Sequence, residues 1–158
     1  MNIIVDIQHG HDMVSEVDVA ALAQFVLAAE GKPEHTEVGI TFVTNEVIQE
    51  LNALHRGKDA PTDVLSFEVD GGEDGFLSPD AQQGDVPYLL GDIVVACDVA
   101  LEQTKIFGTT PAQELQVLLV HGLLHICGWD HVHSEEEAEA MEARERELLA
   151  AWGLPNIR

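Results

Sequence analysis

From Val117 to Ile126 the chain reads VLLVHGLLHI, apolar on nearly every side of a helix. A helix with no polar face must be wrapped by the rest of its chain. Its start is well marked: Thr110 can cap it, Pro111 suits the first helical position, and Gln113 completes a capping-box pattern. At 158 residues and 46% hydrophobic content, the chain holds about one domain of material and enough apolar residues for a core around that helix. A disordered chain and a disulfide-stapled miniprotein are excluded. The two cysteines, Cys97 and Cys127, form no CxxC pair and read as reduced, buried thiols.

The remaining pattern alternates strands with helices. Residues 2–7, 37–43 and 64–69 read as strands, the second burying Val38, Ile40 and Phe42 and the third Leu65, Phe67 and Val69. LLGDIVVA, ending at Ala96, makes a fourth. It is separated from the third by a Gly-, Pro- and Asp-rich acidic loop over 70–88, about 19 residues and longer than most connections. Helices are predicted over 18–30, stopping at Gly31 and Pro33, and over 45–55, capped by Thr44. A last helix runs from the Ser134/Glu137 capping pattern to Trp152, with Met141, Leu148 and Trp152 inward and its glutamates read as a solvated face. Together these predict a single α+β domain over residues 1–158, a small mixed sheet of about four strands packed with about five helices, and a metal site on the central buried helix.

Chemistry concentrates in HGLLHICGWDHVH, residues 121–133. His121 and His125 stand four apart, so their imidazoles leave one helix face about a turn apart and can meet one metal. Gly128 can end the helix at positive φ and let the chain return with His131 as a third ligand. Three histidines with an open fourth position suit catalytic zinc. A lone histidine in a helix is more often a satisfied core residue, but two in an otherwise apolar helix would each cost about 1–3 kcal/mol if buried unpaired. The spacing also resembles zinc-protease helices, except that Gly122 stands where those carry a general-base glutamate. Asp130 is the nearest carboxylate, placed either to take a proton or to orient an imidazole. Cys127 points elsewhere on the helix, and His133 reads as a capping neighbour.

Charge narrows the partners. With 29 acidic and 7 basic residues, a formal −22, the chain cannot coat a DNA or anionic-lipid surface with cations. The one tight basic cluster is His55, Arg56 and Lys58. Arg56 there is either a phosphate clamp or an ion-pair partner of Asp59 or Asp63. The N-terminus lacks a charged, apolar leader, and no run approaches the roughly 20 residues of a membrane span, which predicts a cytoplasmic protein.

HGLLHxxGxDH at residues 121–131, RxxDAPTDVLSF upstream and LGDI at 90–93 together resemble the YbeY family of bacterial endoribonucleases. The resemblance implies an α+β fold and one zinc ion per chain on His121, His125 and His131, with Arg56 lining the catalytic cleft. It implies single-strand-specific cleavage of ribosomal RNA, in maturation of the small-subunit RNA 3′ end and in ribosome quality control. Single-stranded ribosomal RNA and the small subunit with its basic proteins are the implied partners, with neither DNA nor membrane. Two departures from the family pattern, His55 for an aromatic and Glu68 for a proline, fall outside the ligand set. Two rival readings follow from the residues: a non-enzymatic assembly factor stabilised by its metal, and a zinc-dependent peptide or amide hydrolase, weakened by Gly122.

Overall fold

The computed structural model describes residues 1–69, 87–130, 134–155 and 157. His131, His133 and most of the acidic loop, residues 70–86, lie outside the described residues. Four strands, β1 (Asn2–Ile7), β2 (Thr36–Val43), β3 (Val64–Glu68) and β4 (Tyr88–Ala96), form one sheet in the order β1-β2-β4-β3. β1, β2 and β4 run parallel, and β3 returns antiparallel along β4, pairing Ser66 with Ile93 and Val64 with Val95. The mixed sheet is therefore as predicted.

Six helices accompany it: α1 (His11–Val14), α2 (Val19–Ala29), α3 (Asn45–Arg56), α4 (Cys97–Phe107), α5 (Pro111–Ile126) and α6 (Glu135–Trp152). The sequence reading left two of these undelimited. α1 is a single turn, too short to carry a period. α4 follows β4 with no gap, and its first residue takes over where an apolar strand ends, so no turn signal separates them. The caps that were read are formed: Thr44 accepts from the Val47 N–H, and both halves of the Thr110/Gln113 capping box are present. Asp18, which no sequence pattern singled out, caps α2 by accepting from the Ala21 N–H. At α6 Ser134 accepts from the Glu137 N–H, one half of the expected box.

Both faces of β3 and β4 are used. Val64, Ile93 and Val95 join the main core with α2, α5 and α6, while Leu65, Val94 and Ala96 form a second cluster with Ile48 of α3. α5 lies at the centre of the main core, buried from Leu115 through Ile126 except at Gln116, His121 and His125. β1 is an outer strand, and its Ile4 is 50% exposed.

α5 comes close to the sheet at Gly122. A Cβ there would sit 3.0 Å from Ile93 Cγ2 and 3.1 Å from Val64 Cγ2. The Ser66 hydroxyl donates to the Gly122 carbonyl at 3.0 Å, fastening the helix to β3. Any side chain at this position would crowd Ile93 and Val64, and a glutamate would enter an apolar contact. Gly122→Glu should destabilise the fold by about 3 kcal/mol or more, through overpacking and an unpaired buried carboxylate. Chemical denaturation of the variant checks this, and a stability within 1 kcal/mol of the parent, as a rough bound, contradicts it.

Candidate active site

The site is built from the C-terminal half of α5, the end of α3 and the outer half of β3. α5 ends in a Schellman turn: the Gly128 N–H donates to the His125 carbonyl and the Trp129 N–H to that of Leu124, both at 3.0 Å. Gly128 sits at φ 105°, where a side chain would be strained. The predicted helix stop is confirmed, and it turns Trp129 and Asp130 back beside the helix end.

His121 and His125 lie together, with ring centroids 4.7 Å apart and planes at 82°. Both are partly exposed, in contrast to the apolar residues around them. His121 Nδ1 is paired with the Glu145 carboxylate of α6. A carboxylate at Nδ1 fixes the tautomer that carries the lone pair on Nε2. Glu145 was missed in the sequence, where the seven glutamates of this helix read as one solvated face. Its side chain is only 17% exposed, and its sole sequence signal is its place on the inward side, four residues after the buried Met141.

Arg56 is the last residue of α3, released by Gly57 at φ 69°. It lines a cleft of about 450 Å³ with Lys58, Ser66, Glu68, His125 and Asp130. The basic cluster and the histidine helix therefore share one cavity. The ion-pair reading of Arg56 is not what forms. Asp59 accepts from Gln49 Nε2, and Asp63 is taken up by Gln103 Nε2 and the Val64 N–H. Elsewhere among the described residues Arg144 pairs with Glu30 and Glu147, and Lys105 with Glu102. His55 packs edge-on against Phe67 at 5.0 Å, filling an aromatic's place. Glu68, by contrast, stands in the cleft wall, so that departure does reach the site.

Among the described residues, no group of three His, Cys, Asp or Glu side chains is arranged to hold a metal ion. The third predicted ligand, His131, lies beyond them. Cys127 is no substitute: burial pushes its thiol up to about 12, and burial with the neighbouring Asp98 pushes Cys97 up to about 11. Both cysteines are free.

An α+β domain with two histidines packed together on its central helix, one of them lining a cleft with an arginine, presents a hydrolase-like class of site. The sequence profile of the family described as Endoribonuclease YbeY matches residues 5–153, and the chain belongs to that family. It is similar to the endoribonuclease YbeY of Bacillus licheniformis, 41% identical over 98% of both chains, and to that of Bacillus subtilis, 40% identical over the same shares. The Chloroflexus aurantiacus counterpart is 45% identical over 87% of this chain and 86% of its own. A Thermotoga maritima protein solved in solution matches with a TM-score of 0.57 at 25% identity, covering 95% of this chain and 91% of that one. Among the described residues no helix is long and apolar enough to cross a membrane.

The thiols give a test of this environment. Folding raises both pKa values above those of unfolded cysteine. The resulting stability is fully present below about pH 8.5 and is lost as pH rises toward 11 and 12. At pH 8 iodoacetamide should label the native protein at least about tenfold more slowly than the unfolded chain. Equal rates by mass spectrometry contradict the assignment.

Proposed function

We propose that this protein is a single-strand-specific, metal-dependent endoribonuclease of the cytoplasm. It would mature ribosomal RNA, acting at the small-subunit RNA 3′ end, and serve ribosome quality control. The observation that carries the reading is the cleft itself: Arg56 and Lys58 from the end of α3 share it with His125 from α5. Arginine presents a planar fork to two phosphate oxygens, and lysine adds a compact charge beside it.

In this reading His121, His125 and His131 hold one zinc ion per chain. The described residues fit such a group: two imidazoles meet at the helix end, and Glu145 orients one of them. When bound, zinc supplies Lewis acidity toward a phosphoryl oxygen or an attacking water. The chain's own residues do the rest. Arg56 grips the scissile phosphate and stabilises the charge that grows on it during displacement. Asp130 and Glu68 are the carboxylates in the cleft wall placed to accept the nucleophile's proton. Gly122 leaves no base within the helix, which disfavours peptide hydrolysis of the protease type.

The formal charge of −22 restricts how RNA is held. With Arg56 and Lys58 the arginine and lysine lining the cleft among the described residues, few phosphates are neutralised, and basic proteins of the small subunit complement the acidic exterior. The slope of log affinity against log salt for a free single strand should lie near about −1.4, corresponding to two phosphate contacts. A slope steeper than about −4 contradicts this.

Elemental analysis of purified protein should find one zinc per chain, lost together with RNA cleavage in His125→Ala. Arg56→Ala should keep its zinc and melting temperature while cleaving RNA at least about 100-fold more slowly. Glu145→Ala should bind zinc about 10- to 100-fold more weakly. If Arg56→Ala and His121→Ala both cleave RNA like the parent, the proposal is wrong; if the metal-loaded parent never cleaves, the non-enzymatic assembly role replaces it.

A further inference from the structure

Trp129 borders two clefts. One is the cleft of Arg56, Lys58 and His125; the other, about 550 Å³, is bounded by Cys127, Trp129, Asp130, Glu137 and Ala140. Gly128, Trp129 and Asp130 line both, so the two cavities are neighbours that share this stretch, and Trp129 is partly exposed while packed against the core.

Their electrostatics differ. Among the described residues the first cleft sets Arg56 and Lys58 against Glu68 and Asp130, whereas the ionisable groups lining the second are Asp130, Glu137 and Cys127, with no cation. A phosphate finds cationic partners in the first and none in the second. What the second can take is an uncharged, polarisable group with N–H donors for carboxylate acceptors. It has room for a base with its ribose.

The indole is also held in advance. Its Nε1 donates to Glu30 Oε1, and the other oxygen of Glu30 takes Arg144 Nε at 2.8 Å. Arg144 in turn donates to the Ala29 carbonyl at 3.2 Å, tying the end of α2 into the same clamp. A ring fixed before the ligand arrives costs little ordering entropy on binding.

We propose that Trp129 is a stacking platform for one unpaired nucleobase of the RNA strand, seated in the second cleft while an adjoining phosphate lies against Arg56 and Lys58. This extends the endoribonuclease reading and rests on it. Within a duplex both faces of a base are covered by its neighbours, so only an unpaired nucleotide can offer a face to the indole. The platform thereby gives the site a physical basis for preferring single strands, independent of the reacting groups. Stacking on an aromatic side chain tolerates any base.

The chain has two tryptophans, so Trp152→Phe leaves Trp129 as the only indole emitter. The substitution preserves a ring beside Phe25, whose centroid lies 5.3 Å from that of Trp152. Metal-loaded Trp152→Phe protein is mixed rapidly with a dye-labelled six-residue oligoadenylate, or with an abasic strand of equal length, and both emission and anisotropy are read before turnover. Bound oligoadenylate should quench Trp129, and bound abasic strand should leave its emission unchanged. Trp129→Ala should weaken oligoadenylate binding at least about fivefold, with Trp129→Phe restoring most of it and the abasic strand binding as before. Unchanged emission with bound oligoadenylate, or equal weakening of both strands by Trp129→Ala, overturns the proposal. The emission measurement needs no change at Trp129 and stands even if the alanine variant fails to fold. A parent that stacks the base but does not cleave RNA would sink the endoribonuclease reading while supporting Trp129 as a base-stacking residue.

Discussion

The hydrogen bond from the Ser66 hydroxyl to the Gly122 carbonyl marks the contact on which the site depends. It forms because position 122 has no side chain, letting the helix backbone settle onto Val64 and Ile93. His121 precedes that contact by one residue and His125 follows it by three, so both imidazoles are held at fixed positions relative to β3. The same strand supplies Ser66 and Glu68 to the cleft wall. A side chain at 122 would push the helix off the sheet and carry His125 away from Arg56. Packing and chemistry are thus set by one close approach.

A second constraint comes from α6, which reaches two elements with consecutive residues. Neighbours on a helix point about 100° apart. Arg144 meets Glu30 at the end of α2, and Glu145 meets His121 on α5. Through Glu30 the first of these pairs also fixes the Trp129 indole. One turn of an otherwise charged surface helix therefore holds a histidine on one side and the chain beyond Gly128 on the other.

Most of the fold was legible because its signals are local. The Thr110 cap, the Gly31 and Gly128 terminations and the alternation of Val38, Ile40 and Phe42 each act within a few residues, and each appears as read. α4 was not delimited, since β4 passes into it without a break in apolar character. The histidine pair was legible from spacing, and Arg56 from its isolation among acidic residues. Glu145 was not: seven glutamates on one helix look alike in sequence, and only the packing of α6 on α5 singles one out. The Glu30 link to Trp129 spans 99 residues, and no local pattern encodes it. Nor does sequence show that the basic cluster and the histidine helix face a common cavity, because that follows from the antiparallel return of β3.

β1 is an outer strand with half-exposed Ile4 and with Val5 at 36% exposure. Among the described residues no strand pairs with its outer edge, and an open edge carrying apolar side chains invites pairing with another copy of itself. Two chains meeting there each bring a formal −22, and their mutual repulsion opposes edge-to-edge stacking before backbone bonds can form. The acidic excess thus guards the open side of the sheet. That protection is electrostatic, so it weakens as salt screens the charge or as acid neutralises the carboxylates. Colloidal behaviour is in this way tied to the sheet order that leaves β1 outermost.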